Sequence, residues 1–312
     1  MSTSLIIRKA SGEVVRFSEE KLRDSLERSG ATESQMDGVV NEVHKELYDG
    51  ITTQKIYRKA YDLLRKKSRS KAARYKLKKA IMELGPTGYP FELFVASILE
   101  EQGFETRVGM IVEGRCVTHE IDVLARKNGK LIMVECKFHN RPGVKCDVKI
   151  PLYIHSRFRD LVTKNRDEMK AQANGNAENA GPDSDDLNRT FFYGPPDDPV
   201  NEYQGWIVTN TRFTNDAISY GTCSGLVMLG WDHPAKGSLR ERIGLSGLHP
   251  VTCLSTLQRK EKAYLLENGV VLCKRVPEHS HLLSELGLSE QRIKKIIREC
   301  EELVYELDVP ED

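Results

Sequence analysis

The chain has 312 residues, of which 39% are hydrophobic and 30% charged, and this length is enough for two domains with buried cores. It lacks both a run of about 18 apolar residues and an apolar leader stretch, which argues against a membrane span and a secretory signal. Its 47 basic and 46 acidic residues nearly cancel, and its seven cysteines are scattered without a C-x-x-C pair. This usage argues against a zinc ribbon and a disulfide framework, and it favours free thiols in a reducing cytoplasm.

The first segment, residues 1–86, predicts two short strands followed by helices. Ser18 is placed to cap the first helix, and either Thr52 or Thr53 is placed to cap a later one. The breaker run GPTGYP at 85–90 ends the last of these helices and predicts a domain boundary.

Two stretches of this segment, LIIRKASGEVVRFSEEK at 5–21 and YDGITT at 48–53, resemble the ATP-cone. That domain gives adenine-nucleotide control to ribonucleotide reductases and to a reductase-gene repressor. The resemblance implies a small sheet over a helical bundle that binds ATP or dATP as a regulator. It assigns the polyphosphate contacts to Arg8, Lys9 and Lys21 and a hydroxyl contact to Thr53. Taken singly, Thr53 is also a plain helix cap, and Lys21 is also a solvated lysine.

A basic run follows at 65–79, with nine basic residues and no acidic one. A helix this basic suits the phosphates of DNA or of a nucleotide. It equally suits a surface helix that keeps the protein soluble, and the sequence leaves both interpretations open.

The central segment, residues 90–235, predicts a mixed α/β domain with a hairpin at its centre. Asn128-Gly129 between two apolar runs is typical of a two-residue turn, because both residues tolerate positive φ. The register set by this turn places Asp122 opposite Glu135. Strand alternation then puts four polar side chains on one face of the hairpin, namely Glu120, Asp122, Glu135 and Lys137.

Two like charges directly opposite each other destabilise a sheet, and burial raises the pKa of a carboxyl group. A cation held by Asp122 and Glu135 removes both costs, and two carboxylates with water suit Mg²⁺. Lys137 would then act on a bound water or a phosphate oxygen. The alternative is a surface ladder in which Lys137 pairs with Glu120 and Glu135, but the apolar flanking runs favour the metal site.

Asp122, followed after twelve residues by Glu135-Cys136-Lys137, resembles the D…(D/E)-x-K motif of the restriction-endonuclease-like nucleases, and most of all their Mrr-type branch. The helix FELFVASILEEQGF at 91–104 and the segment WIVTNTRFTNDAISY at 206–220 extend the resemblance. It implies Mg²⁺-dependent hydrolysis of DNA by Asp122, Glu135 and Lys137, with Glu92 supporting the metal site. Glu92 alone is equally an ordinary acid in the first turn of a helix.

The stretch YIHSRFRD follows the motif and offers side chains that suit DNA phosphates or, alternatively, a solvated helix face. These are Tyr153, His155, Arg157 and Arg159. The polar stretch at about 164–202 has few large apolar residues and predicts a flexible insert. The last segment, 250–308, predicts a helical module whose final helix buries Ile293, Ile296, Ile297, Cys300 and Leu303.

The sequence therefore predicts an α/β protein with an ATP-cone, a restriction-endonuclease-like mixed sheet flanked by helices, and a helical C-terminal module. The predicted function is a cytoplasmic, metal-dependent deoxyribonuclease of restriction or defence type, regulated by adenine nucleotide. DNA and nucleotide are the expected partners, no membrane is expected, and a homo-oligomer is left open. The alternatives are a non-enzymatic, nucleotide-sensing DNA-binding regulator and a repair or junction nuclease of the same fold.

Overall fold

The structure is a computed structural model that describes residues 5–9, 12–173, 191–194 and 199–305. Its contacts divide the chain into two compact units. The first unit comprises Met1–Pro86, Asn140–Gly143 and Ile243–Asp312, and the second comprises Thr87–His139 and Val144–Arg242. The C-terminal segment, expected as a separate module, thus belongs to the same unit as the N-terminal segment.

A small sheet with five helices forms the N-terminal part of the first unit. The sheet has the order β2-β1-β3, in which β1 pairs antiparallel with β2 and parallel with β3. The strands are β1 Ile6–Arg8, β2 Val14–Arg16 and β3 Ile51–Thr52. The helices are α1 Glu19–Glu27, α2 Glu33–His44, α3 Thr53–Lys67, α4 Arg69–Tyr75 and α5 Leu77–Met82.

Side-chain caps decide where these helices begin. Ser18 accepts a hydrogen bond from the Lys21 N–H, as the sequence predicts. Thr52 rather than Thr53 caps α3, because its hydroxyl accepts the Lys55 N–H and Thr53 is already helical. A cap satisfies backbone N–H groups that the first helical turn leaves without partners.

The basic run at 65–79 does not form one continuous helix. Ser68 has an extended backbone that ends α3, and its hydroxyl accepts the Lys71 N–H to begin α4. A second break follows at Lys76 before α5. The cations of the run therefore point in several directions instead of along a single helical surface.

Three further helices complete the first unit: α10 Arg259–Glu267, α11 Ser280–Glu285 and α12 Glu290–Tyr305. Hydrogen bonds of Thr252, in the short 3-10 helix Val251–Cys253 before α10, tie this C-terminal part to the N-terminal part. The Thr252 hydroxyl donates to the Ala80 carbonyl (2.7 Å), and the Lys76 ammonium donates to the Thr252 carbonyl (3.2 Å). Of the predicted buried face of the last helix, Ile296, Cys300 and Leu303 are fully buried, whereas Ile293 and Ile297 are only partly buried.

A five-stranded mixed sheet of order β10-β8-β6-β5-β4 forms the centre of the second unit, and helices accompany it. The strands are β4 Glu105–Glu113, β5 Thr118–Lys127, β6 Lys130–Lys137, β8 Glu202–Thr209 and β10 Val227–Leu229, with a separate pair β7 Lys145–Cys146 and β9 Arg212–Phe213. The helices are α6 Tyr89–Glu100, α7 Lys149–Ala173, α8 Asn215–Cys223 and α9 Leu239–Ser246, the last of which contains the division between the units. The predicted α/β fold class is confirmed.

The central hairpin has the predicted turn. Asn128 and Gly129 both have positive φ, at 50° and 70°. Lys127 pairs with Lys130, and the ladder continues from there to Val123 opposite Val134.

The insert expected to be flexible at about 164–202 is partly ordered. Helix α7 continues to Ala173, and residues 191–193 are helical. Phe191 and Phe192 are buried in the core above the sheet with Met110 and Leu131. The free energy gained by burying two adjacent phenylalanine side chains outweighs the preference of the neighbouring polar residues for solvent. Residues 174–190 and 195–198 lie outside the described residues. Among the helices that the structure describes, none has the length and apolar character needed to cross a membrane.

A half-buried carboxylate fixes the turn between β4 and β5 onto α7. Asp160 accepts hydrogen bonds from the backbone N–H groups of Cys116 (3.0 Å) and Val117 (3.4 Å), and it lies 2.8 Å from the Nε2 atom of His119. The His119 hydrogen bond, followed by those from Cys116 and Val117, lowers the pKa of Asp160 to about 2.

We expect Asp160→Asn to lower the free energy of unfolding by about 1–3 kcal/mol, because the turn loses its charged acceptor. The folded pKa lies below the unfolded value of about 3.9. The carboxylate therefore stabilises the fold above pH 4 or so, and this contribution is lost as the pH falls toward 2. Urea unfolding at pH 7 and pH 3 measures both effects. Asp167→Asn is the matched control, since Arg115 is the one ion-pair partner of this exposed acid among the described residues. An equal change in the free energy of unfolding for the two substitutions would contradict the proposed role of Asp160 in fixing the turn.

Candidate active site and nucleotide pocket

The candidate site lies where the β5–β6 ladder ends. The last recorded pair is Val123 with Val134, so Asp122 and Glu135 stand one step beyond it. There the Asp122 carboxylate, through Oδ2, accepts the backbone N–H of Cys136 at 2.7 Å. A side-chain oxygen thus takes a ladder N–H, which directs the carboxylate to the end of the hairpin beside Glu135.

Glu135 is almost fully buried, and two cations hold its carboxylate. The Lys137 ammonium lies 2.5 Å from Oε1, and the Arg157 guanidinium lies 2.6 Å from Oε2. Arg157 also donates to the Glu120 carbonyl. The salt bridge that the sequence offered as the alternative for Lys137 and Glu135 is therefore present, although it is buried and not on a solvated face.

The other two carboxylates lack such compensation. Burial raises the pKa of Asp122 to about 6, and the charge of Glu135 adds to the effect. Burial raises the pKa of Glu92, in the first turn of α6, to about 7, and the charge of Asp122 adds to it. No described residue donates a hydrogen bond to the Glu92 carboxylate or to Oδ1 of Asp122. Negative charge in this part of the site is therefore poorly balanced.

The structure brings all four predicted catalytic residues into one electrostatic cluster. The carboxyl groups of Asp122, Glu120 and Glu135, in that order, raise the pKa of Glu92, while Lys137 lowers it. Among the described residues, no group of three or more His, Cys, Asp or Glu side chains is arranged to hold a metal ion. The predicted metal ligands, Asp122 and Glu135, are two residues and so do not by themselves form such a group of three.

Two residues in the site have roles that the sequence did not reveal. Arg157 was a candidate for DNA contact, but its guanidinium is engaged by Glu135. Asn210 is fully buried just after β8, where its Oδ1 accepts the His139 N–H (2.9 Å) and its Nδ2 donates to the His139 carbonyl (2.7 Å). Asn210 therefore fixes the chain that follows Lys137. Its signal in the sequence was a polar residue directly after a buried apolar strand.

A pocket of about 270 Å³ lies against the small sheet of the first unit. Lys9, Lys21 and Thr53 line it together, as the predicted nucleotide contacts require. Arg8 is not among its lining residues, because side chains alternate along β1 and Arg8 follows the inward-facing Ile7.

The sequence did not point to three further lining residues of this pocket, Arg16, Tyr57 and Tyr75. The rings of Tyr57 and Tyr75 are stacked with centroids 5.0 Å apart. The Tyr57 hydroxyl is buried without a hydrogen-bond partner among the described residues. The lining of the pocket thus combines cations with a stacked aromatic pair.

We expect Asp122→Asn to raise the free energy of unfolding of the metal-free protein by about 1–2 kcal/mol at pH 7.5. The folded pKa, about 6, lies above the unfolded value, so the ionised group destabilises the fold at neutral pH. The gain should vanish as the pH falls to about 4, because the carboxyl group is then protonated in the folded state. The amide oxygen still accepts the Cys136 N–H, so the local structure is kept.

Denaturant unfolding in the presence of a chelator, at pH 7.5 and pH 4, measures this effect. Glu202→Gln is the control, because its exposed carboxylate pairs with Lys130 at the start of β6 and with no other cation in the part of the chain that the structure describes. A loss of stability at pH 7.5 in Asp122→Asn would show that the carboxylate is not electrostatically strained.

Two family models match the chain. One, described as an ATP cone domain, matches residues 5–81, and the other, described as AF1548-like, C-terminal, matches residues 249–304. The first match confirms the prediction of an ATP cone at the N-terminus and supports the binding of an adenine nucleotide. Neither description names a nuclease, so the Mrr-type resemblance stays a prediction.

The chain is also similar to whole proteins. An uncharacterized protein of Archaeoglobus fulgidus is 31% identical over 211 residues, which cover 67% of this chain and 99% of the relative. The crystal structure of a protein of unknown function, AF1548, matches with a TM-score of 0.50 and 30% identity, covering 70% of this chain and 98% of that one. The chain therefore belongs to the same protein family as the uncharacterized Archaeoglobus fulgidus protein.

Proposed function

We propose that the chain is a metal-dependent deoxyribonuclease of restriction or defence type whose activity responds to ATP or dATP bound by the cone. The observation that carries this proposal is the meeting of Asp122 and Glu135 at the end of the hairpin, where no described residue donates to Oδ1 of Asp122. Lys137 lies beside them on Glu135. Two acids and a lysine are also the residues of the D…(D/E)-x-K motif in the nucleases that the sequence resembles.

The oxygen ligands available at the site favour the binding of a hard divalent cation. Asp122 and Glu135 offer carboxylate oxygens, and Mg²⁺ binds through one or two carboxylates while it keeps several waters. Such an ion would polarise the scissile phosphate and acidify a water molecule. The raised pKa of Asp122 and of Glu92 supports the same assignment, because a nearby cation would stabilise both ionised forms.

Lys137 acts in this proposal as a cationic donor. Burial lowers its pKa, but the hydrogen bond and charge of Glu135 outweigh burial, so the pKa lies above the usual lysine value. An ammonium group that stays protonated orients a water molecule and neutralises charge that develops on the phosphate. It suits these two tasks better than it suits removing a proton from the water.

Nucleotide control in this proposal begins in the pocket that contains Lys9, Lys21 and Thr53. Two lysines provide the charge that a polyphosphate needs, and the paired tyrosine rings offer an apolar surface for a base. A nucleotide changes activity only if it binds two conformations of the protein unequally. Comparison of ATP with dATP tests whether the pocket distinguishes the ribose.

A second candidate is a non-enzymatic, nucleotide-sensing regulator that binds DNA. One observation favours it: both oxygens of Glu135 are already occupied, by Lys137 and Arg157. In a protein that never bound metal, this buried ion-pair network would be a purely structural feature. Salt-sensitive DNA binding without cleavage under any divalent metal would support this candidate.

We expect the wild-type chain to cleave plasmid DNA in the presence of Mg²⁺ and not in its absence. Asp122→Ala and Lys137→Ala should each lower the rate by at least about 100-fold, because they remove a ligand and a charge-neutralising donor. Gel analysis of nicked and linear plasmid measures the rate, with circular dichroism to show that each variant is folded. Glu202→Gln should cleave at the wild-type rate. Activity that survives both alanine substitutions would reject the assignment.

We expect Lys21→Ala to weaken ATP binding by about tenfold or more, because it removes a charge-assisted phosphate contact. Arg8→Ala should change the affinity little, since this equally basic neighbour does not line the pocket. Isothermal titration calorimetry with ATP and dATP measures both variants. A large effect of Arg8 with none of Lys21 would place the nucleotide elsewhere.

A further inference from the structure

We infer that a cationic cleft between α4 and α12 binds the phosphate backbone of duplex DNA. This inference rests on the proposed function, because it assigns that function's substrate a second contact surface in the first unit. The cleft has a volume of about 730 Å³. Its cations are Arg69 of α4 and Lys294, Lys295 and Arg298 of α12.

None of these four cations has an ion-pair partner among the described residues. Other exposed cations of the same unit do have partners, such as Lys45 with Glu42 at 2.5 Å and Arg23 with Asp37 at 2.8 Å. Lys294 and Arg298 are four residues apart and therefore adjacent on one face of the helix, where like charges repel. An anion in the cleft would relieve this repulsion.

The helix dipole accounts for only part of the charge pattern of α12. Glu290 lies in the first turn, where the dipole favours an acid, but Lys294 and Lys295 lie in the first half and Glu301 and Glu302 lie near the C-terminal end. Glu301 and Glu302 also line the cleft, but among the described residues neither forms an ion pair with its cations.

A third acid lines the cleft, but its carboxylate is engaged inside the protein. Glu299 is almost fully buried, and its carboxylate accepts hydrogen bonds from Ser255 N–H (2.7 Å), Thr256 N–H (2.9 Å) and the Thr256 hydroxyl (2.5 Å). Its position four residues after Lys295 would otherwise allow an ion pair on the helix surface. Lys295 is therefore left to solvent or to an external anion.

The lining suits a phosphate polymer better than a protein. Every cleft residue is charged except Gln291, and no aromatic or large aliphatic side chain lines it. Tight protein interfaces have an apolar core with aromatic anchors, which this surface lacks. Binding to a nucleic acid backbone needs only cations at the surface, because the release of condensed counterions drives it.

Three cations of the basic run differ in whether they contact the protein itself or line the cleft. Arg74 donates to the Leu303 carbonyl (3.5 Å), and Lys76 donates to the Thr252 carbonyl. These two cations hold the C-terminal helices in place. Arg69 stands on the outward side of the break at Ser68 and completes the cleft.

The test is binding of a fluorescent DNA duplex by the full-length protein in a chelator, measured by anisotropy over a series of salt concentrations. The variant is Lys294→Gln/Lys295→Gln/Arg298→Gln. The matched control is Lys45→Gln/Arg58→Gln/Lys260→Gln, which removes the same charge from exposed positions of the same unit. Thermal unfolding shows whether both proteins are folded.

We expect the cleft variant to bind at least about tenfold more weakly at moderate salt. The slope of log K against log salt should fall by up to about 2.7, because each phosphate contact contributes about 0.9. The control should bind nearly as the wild type does. Equal binding by the cleft variant and the wild type, or an equal loss in both variants, would overturn the inference.

Tighter binding of an RNA duplex than of DNA would also overturn it. Plasmid cleavage in Mg²⁺ is measured separately. If cleavage fails while the cleft still determines DNA binding, the proposed function is rejected and the cleft stands. If wild-type cleavage is present and the cleft variant binds DNA normally, the cleft is rejected and the function stands.

Discussion

The two-residue turn at Asn128–Gly129 is the constraint on which the candidate site depends. It fixes the pairing of β5 with β6, and side chains alternate along each strand with a period of two residues. A slip of one residue would carry Asp122 or Glu135 to the opposite face of the sheet. The positive φ of both turn residues is therefore what allows the two acids to meet, each six residues from the turn.

The carboxylates of the site differ in how far nearby groups balance their charge, and this difference is a stronger indication of function than the number of acids. Glu135 is balanced by Lys137 and Arg157, whereas the described residues supply one backbone hydrogen bond to Asp122 and none to Glu92. A site built only for stability would pair each buried carboxylate or replace it. Buried groups with a raised pKa beside a specific charge cluster are typical of functional sites, and proteins commonly retain such strain where a ligand relieves it.

Local patterns predicted the hairpin and the helix caps, because both depend on residues within a few positions of one another. They did not predict that Arg157, 22 residues after Glu135, would engage it, since that contact depends on how α7 lies over the sheet. Average composition also concealed Phe191 and Phe192 within a polar stretch, although two adjacent buried aromatics are enough to anchor a segment. The position of Arg8, by contrast, was predictable, because strand alternation places Lys9 with Ile7 and Arg8 on the other side.

Helix α4 contributes to both the pocket of the cone and the contact with the C-terminal helices. Tyr75 of this helix lines the nucleotide pocket, and its neighbour Arg74 donates to the Leu303 carbonyl of α12. The backbone of a seven-residue helix cannot move at one of these residues without moving at the other. A ligand that displaced the backbone of α4 at Tyr75 would also displace Arg74, which contacts α12, the helix that carries most of the cationic cleft. The first unit thus joins nucleotide pocket and charged surface through one short, well-packed element.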